Sequence, residues 1–172
     1  DGKVDLILDT GRTRYAKAST IVRVSDSGYE VLREGVLDER TIRKLTHTNF
    51  LVLCSGNTCR SPMAAGILRH LLADKLGIAP GDLESRGYRV ESAGVSTFGG
   101  APAAGPAIEV LAARNIDIST HRSQSVTLEQ LHRADYIFAM TRSHLAAIRS
   151  LNPGAAERAR LVDDTDIEDP IG

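Results

Sequence analysis

Cysteine is scarce in this chain: of 172 residues, only those at positions 54 and 59 are cysteines. Two thiols are too few for a disulfide framework and suit a reducing cytosol. Net charge is lacking too. With 21 Lys and Arg against 22 Asp and Glu, no overall field draws the protein to nucleic acid or to an anionic membrane. Any anion must therefore be held by a local site. No apolar run approaches the ~20 residues of a membrane span, and the opening Asp-Gly-Lys-Val carries no signal-peptide pattern. The chain reads as cut from a longer polypeptide. Internal repeats and low-complexity tracts are also absent. What is present is a 42% hydrophobic content, enough for one sizeable domain or a domain plus a fragment.

The first part of the chain alternates like β structure. Ser19 to Val24 and Tyr29 to Arg33 read as two strands around a turn at Ser25 to Gly28, and Asp38 to Leu45 as a short helix with an acidic start and a basic finish. A compositional seam lies at Thr46 to Asn49. Beyond it, the apolar run Phe50 to Leu53 is a buried strand feeding directly into Cys-Ser-Gly-Asn-Thr-Cys-Arg-Ser-Pro. A helix follows, with Ser61 expected as N-cap, Pro62 as its first residue, and Met63, Ile67 and Leu71 recurring on one face beside Leu68 and Leu72. Strand and helix alternate onward through Tyr88 to Ser92, Ala104 to Arg114, Thr127 to His132, Ala134 to Met140, Ser143 to Leu151 and Ala159 to Val162. That alternation favours a parallel sheet covered on both faces, with ligands at the carboxyl ends of its strands.

Cys54 and Arg60 bracket five residues at the junction of strand and helix. The unpaired N–H groups of the helix start point into this loop, and consecutive loop amides can curl around phosphate oxygens. Arg60 adds a planar fork that grips two oxygens at once. The same field favours the thiolate of Cys54, so the anion pocket and the activated nucleophile are one structure. Gly56 allows close backbone approach, Asn57 tolerates a left-handed conformation, and Ser61 can hydrogen-bond the sulfur. The bland alternative for Cys54 is a buried structural thiol. Cys54 and Cys59 fit no common zinc spacing, and neither metal nor cofactor is expected.

Cys54 to Ala64, CSGNTCRSPMA, resembles the signature of the low molecular weight protein tyrosine phosphatases and the related protein arginine phosphatases. The resemblance continues through Glu91 to Val95, Ile116 to His121, Ala134 to Thr141 and Glu168 to Gly172. It implies a four-stranded parallel α/β sheet of flavodoxin-like order over residues 47–172, with helices on both faces, following a small α+β fragment over residues 1–46. It further implies Cys54 as nucleophile, Arg60 as phosphate clamp and Asp169 as general acid, with Asp166 as the fallback for the acid. Ser55, Gly56, Asn57, Thr58, Cys59, Arg60 and Ser61 would cradle the phosphate, and Ser92 and His121 would brace the loop. Cys59 would be a reversible disulfide partner shielding Cys54. The implied partner is a phosphorylated protein, and phosphate or sulfate would occupy the same site.

For the substrate, Thr58 resembles the arginine-specific members, while phosphotyrosine stays open. Phe98 and Ile171 are candidate walls of the substrate cleft. The family normally continues past the Asp169-Pro170 pair into a further helix, which is not expected within this chain. Val4 to Val36, including Ser19-Thr20 and Leu32-Arg33, resembles the closing part of a threonylcarbamoyl-AMP synthase domain. A fusion parent is thereby implied, and no synthase activity is expected of this piece. An anion-binding module without turnover is one competing reading. A thiol-based arsenate reductase is another, but it would need relay cysteines beyond the two present.

Overall fold

The computed structural model describes residues 3, 5, 6, 8, 11, 12, 14–25 and 28–170, and the chain divides into two compact units, residues 1–46 and 47–172. In the first, the two alternating segments form strands β1 (Ile21–Ser25) and β2 (Gly28–Arg33). They pair antiparallel, with an irregularity between Ile21 and Val22. The Arg33 guanidinium donates to the Ser19 carbonyl at 2.9 Å, and the Thr20 hydroxyl oxygen accepts from the backbone N–H groups of Gly35 and Leu37. Helix α1 (Glu39–Thr46) starts where Asp38 Oδ1 accepts from Thr41 N, and it buries none of its residues.

The second unit is built on strand β3 (Thr48–Cys54), whose apolar run is buried on both faces. Because side chains alternate along a strand, Leu51 and Leu53 enter one apolar cluster while Val52 and Cys54 enter another. Helix α2 (Arg60–Leu76), a 3-10 turn at Pro80–Asp82 and strand β4 (Tyr88–Gly94) follow. Next come α3 (Gly105–Ala112), α4 (Leu128–Arg133), β5 (Tyr136–Ala139), α5 (Arg142–Leu151), α6 (Pro153–Ala156) and β6 (Ala159–Leu161). The four strands run parallel in the order β4-β3-β5-β6. Leu68 and Leu72 of α2 pack on the cluster around Val52 and Val90, while Leu131 of α4 and Ile148 of α5 pack on the opposite side with Leu51 and Ile137. This is the doubly covered parallel sheet expected from the alternation. The sheet order reverses at β3, so the loop after Cys54 lies in the crevice where such folds hold ligands.

Two local expectations fail. Helix α2 begins at Arg60 with Cys59 as its N-cap, and no side chain caps it. Ser61 and Pro62 thus lie within the first turn, as its second and third residues, and the Ser61 hydroxyl is committed to Cys54 and Asn57. Leu71 is 61% exposed. The buried face of α2 runs through Ser61, Pro62, Ala65, Gly66 and Ala73, since small residues let the helix lie close to its neighbours. A Cβ on Gly66 would stand 3.0 Å from Ile118 Cγ2. Leu53 is fully buried in the central strand, so Leu53→Ala should cost about 2–5 kcal/mol of unfolding free energy. Denaturant titration measures this, and a loss below about 1 kcal/mol would mean that β3 is not the two-faced centre of the core.

Candidate active site

Seven residues, Cys54 to Arg60, connect the end of β3 to the first turn of α2. Cys54 is 2% exposed at the floor of this loop. Its Sγ accepts from Asn57 N at 3.2 Å and lies 3.0 Å from Ser61 Oγ. Asn57 Nδ2 already donates to that oxygen at 2.9 Å, so the Ser61 O–H is left to point at the sulfur. The sulfur is therefore met by donors from the loop backbone and from the helix.

Asn57 shapes the loop. It is fully buried with φ of 55°, the left-handed region that Asn tolerates better than most side chains. Besides Ser61, its Nδ2 donates to Ser92 Oγ at 2.9 Å. Its Oδ1 accepts from Gln124 N at 2.9 Å, and its carbonyl lies 2.7 Å from His121 Nε2. Ser92 and His121 are thus both against Asn57. The backbone of the loop is also pinned from outside. Val95 N donates to Cys54 O, Ser96 N to Ser55 O, and Ala104 N to Thr58 O. Thr58 Oγ1 lies over Gly56, 3.7 Å from where a Cβ on that glycine would stand.

Arg60 emerges from the first residue of α2 with a side chain only 9% exposed. Its Nη1 donates to the Ile167 carbonyl at 2.9 Å, and its Nη2 lies 2.6 Å from Asp169 Oδ2. The loop after β6 therefore reaches back over the Cys54 loop and brings Asp169 to Arg60. Asp166 goes elsewhere, accepting from the backbone N–H of Arg142 at 3.0 Å and from its guanidinium at 3.3 Å. Burial, then the charges of Asp169 and Cys54, push the Cys59 thiol above its ordinary value. Cys59 is accordingly held as a neutral thiol.

Phe98 is fully exposed on the segment between β4 and α3. Ile171 lies outside the described residues. The sequence reading missed three contributors: the Ile167 carbonyl, the Gln124 amide, and His144, whose Nε2 stands 2.9 Å from Ser55 Oγ. Two of these are backbone groups, which leave no residue-type signal. His144 was legible only as part of a helix. Among the described residues, no group of three His, Cys, Asp or Glu side chains is placed to hold a metal ion.

Fold and site together define a doubly wound α/β protein whose buried cysteine meets a backbone and a hydroxyl donor in a loop that ends in an arginine. The low molecular weight phosphotyrosine protein phosphatase model matches residues 49–171, and the chain belongs to this family of cysteine-dependent phosphoric monoester hydrolases. It is 38% identical over 123 residues to a probable low molecular weight protein-tyrosine-phosphatase, EpsP, of Ralstonia solanacearum, covering 70% of this chain and 76% of that protein. It is 34% identical over 128 residues to a protein-arginine-phosphatase of Geobacillus stearothermophilus, covering 71% and 78%. Among solved structures, Vibrio vulnificus Wzb in complex with benzylphosphonate superposes with a TM-score of 0.62 at 30% identity, covering 72% of this chain and 82% of that one.

Gly94, at the end of β4, tests how tightly the loop is packed. A Cβ there would stand 2.5 Å from the Ser55 carbonyl and 2.7 Å from Thr97 Cγ2, whereas one on Gly81 meets nothing within 4 Å. Gly94→Ala must displace the Cys54 loop, and a shift of about 1 Å is worth roughly 100-fold in rate. Steady-state assays with para-nitrophenyl phosphate should show that loss for Gly94→Ala and none for Gly81→Ala. Equal behaviour of the two variants would contradict the packing argument.

Proposed function

We propose that this protein removes phosphoryl groups from phosphorylated proteins through a phosphocysteine at Cys54, with Arg60 and Asp169 as its catalytic partners. The observation that carries the reading is the convergence on one loop of the Cys54 sulfur, the Asn57 and Ser61 donors, the Arg60 guanidinium and the Asp169 carboxylate. In the first step Cys54 sulfur bonds to phosphorus while the bond to the leaving oxygen or nitrogen breaks, and the Asp169 carboxyl donates its proton to that atom. Arg60 and the loop amides hold the equatorial oxygens, where charge is concentrated. In the second step water attacks phosphorus, Asp169 takes its proton, the S–P bond breaks, and inorganic phosphate leaves. Asp169 is preferred over Asp166 for this work because the latter is engaged at the start of α5.

Cys54→Ser should abolish turnover of para-nitrophenyl phosphate. Asp169→Ala should slow hydrolysis of phenyl phosphate, whose leaving group needs a proton, far more than that of the nitrophenyl ester. Equal slowing of both esters would remove Asp169 from the acid role. Binding of inorganic phosphate with no turnover would favour an inactive phosphate-binding fragment instead.

On substrate, the reading leans to phosphoarginine over phosphotyrosine. Thr58 is small and polar, and its hydroxyl is within the loop where an incoming guanidinium could hydrogen-bond it; a bulky aliphatic side chain would fill that space. Phe98 and Ile171 are read as walls of the cleft. Phosphoarginine and phosphotyrosine peptides compared under the same conditions should favour the former, and Thr58→Ile should shift preference toward phosphotyrosine. No shift would count against Thr58 as the selector. A cytoplasmic setting, where Cys54 stays reduced, suits this chemistry. Residues 1–46 are read as related to the end of a threonylcarbamoyl-AMP synthase domain in a fusion parent, without synthase activity of their own.

A further inference from the structure

His144 is a buried histidine that the mechanism above does not use. It lies in the first turn of α5, 4% exposed. Both ring nitrogens have partners. Nδ1 lies 2.8 Å from Thr141 Oγ1, and Nε2 lies 2.9 Å from Ser55 Oγ, a contact across 89 positions of sequence. The Thr141 oxygen also accepts from His144 N and lies 2.7 Å from Ser143 Oγ. Arg60 Nη2 reaches the same Ser55 oxygen at 3.5 Å. A hydrogen-bonded chain therefore runs from the N-cap of α5 through His144 and Ser55 to the arginine of the Cys54 loop.

The ring is held neutral. Burial first, and the nearby Arg60 cation second, push its pKa below the ordinary 6.5, against the opposing charges of Asp166 and Asp169. The start of α5 adds a positive helix end that also disfavours an imidazolium. A neutral imidazole has one donor and one acceptor, so fixing one nitrogen fixes the other. With Nδ1–H donated to Thr141, Nε2 accepts from the Ser55 hydroxyl and turns that hydroxyl's lone pairs toward Arg60. With the Thr141 hydroxyl donating to Nδ1, Nε2–H donates to Ser55 and leaves the serine proton for the loop. Either way the orientation of the serine hydroxyl is set by a residue outside the loop.

We propose that His144 is a positioning residue for the oxyanion cradle: through Ser55 it fixes the loop residue that follows the cysteine, and with it the approach of Arg60. This rests on the phosphatase reading for its kinetic consequences, but its anion-binding consequences do not need turnover. Removing either end of the Ser55–His144 contact frees the other, so the two side chains act as a unit and their losses do not add.

The test is a double-mutant cycle of Ser55→Ala and His144→Ala on the full chain, read by orthovanadate affinity in calorimetry and by kcat/KM on para-nitrophenyl phosphate. Each single variant should weaken vanadate binding, and the double variant should fall short of the product of the two losses by about threefold or more. His144→Gln, which offers Ser55 an amide donor and acceptor, should recover part of the loss. It also serves where His144→Ala folds poorly. The same non-additivity in kcat/KM, with thermal stability of Ser55→Ala near that of the parent, would separate positioning from a general loss of fold. Losses that multiply in full, or vanadate affinity of His144→Ala within about twofold of the parent, would overturn the proposal. Coupling in vanadate affinity without any turnover in the parent chain would leave it standing and overturn the phosphatase reading instead.

Discussion

The site depends on one buried amide side chain held in a conformation few residues accept. Asn57 joins three parts of the molecule at once: the Cys54 loop through its own backbone, β4 through Ser92, and the segment after α3 through His121 and Gln124. A seven-residue loop is entropically costly to hold in one shape. Here the carbonyls of Cys54, Ser55, Asn57 and Thr58 are each fixed by a hydrogen bond from outside the loop. Preorganisation of this kind is where electrostatic stabilisation of an oxyanion comes from, since no dipole has to be turned during the reaction.

The sheet supplies the rest of the constraint. β3 is central and buried on both faces, so its carboxyl end cannot shift without disturbing two apolar clusters. β4 lies beside it and ends in Gly94, whose missing Cβ lets Ser55 pass close by. On the other side β5 leads into α5, which carries His144, and β6 leads into the loop that carries Asp169 to Arg60. Each strand in the order β4-β3-β5-β6 thus contributes something to the same opening. Function follows from the placement of four strand ends rather than from any single segment.

Much of this was legible in the sequence because it is local. The apolar run into Cys54, the alternation of strand and helix, and the Thr127 start of α4, now seen as a capping box with Gln130, are all carried by neighbouring residues. The Asn152-Pro153 start of α6 carried a similar signal that went unread. What could not be read is non-local or carried by the backbone. Ser61 has the residue type of an N-cap, but a hydroxyl can serve only so many partners, and the sulfur took it. Leu71 has the helical spacing of a core residue yet lies beyond the edge of the face that α2 buries. Ser55 and His144 meet only because β3 and β5 are neighbours, which no periodicity reveals.

The central claim is that the sulfur of residue 54 carries the phosphoryl group between the two halves of the reaction. Rapid acid quench during turnover of para-nitrophenyl phosphate, followed by peptide mass spectrometry, tests it directly. The account predicts one phosphoryl group on the peptide containing Cys54, bound to its sulfur and appearing before steady state. Turnover with that peptide unmodified, or with the phosphoryl group on another residue, would contradict it.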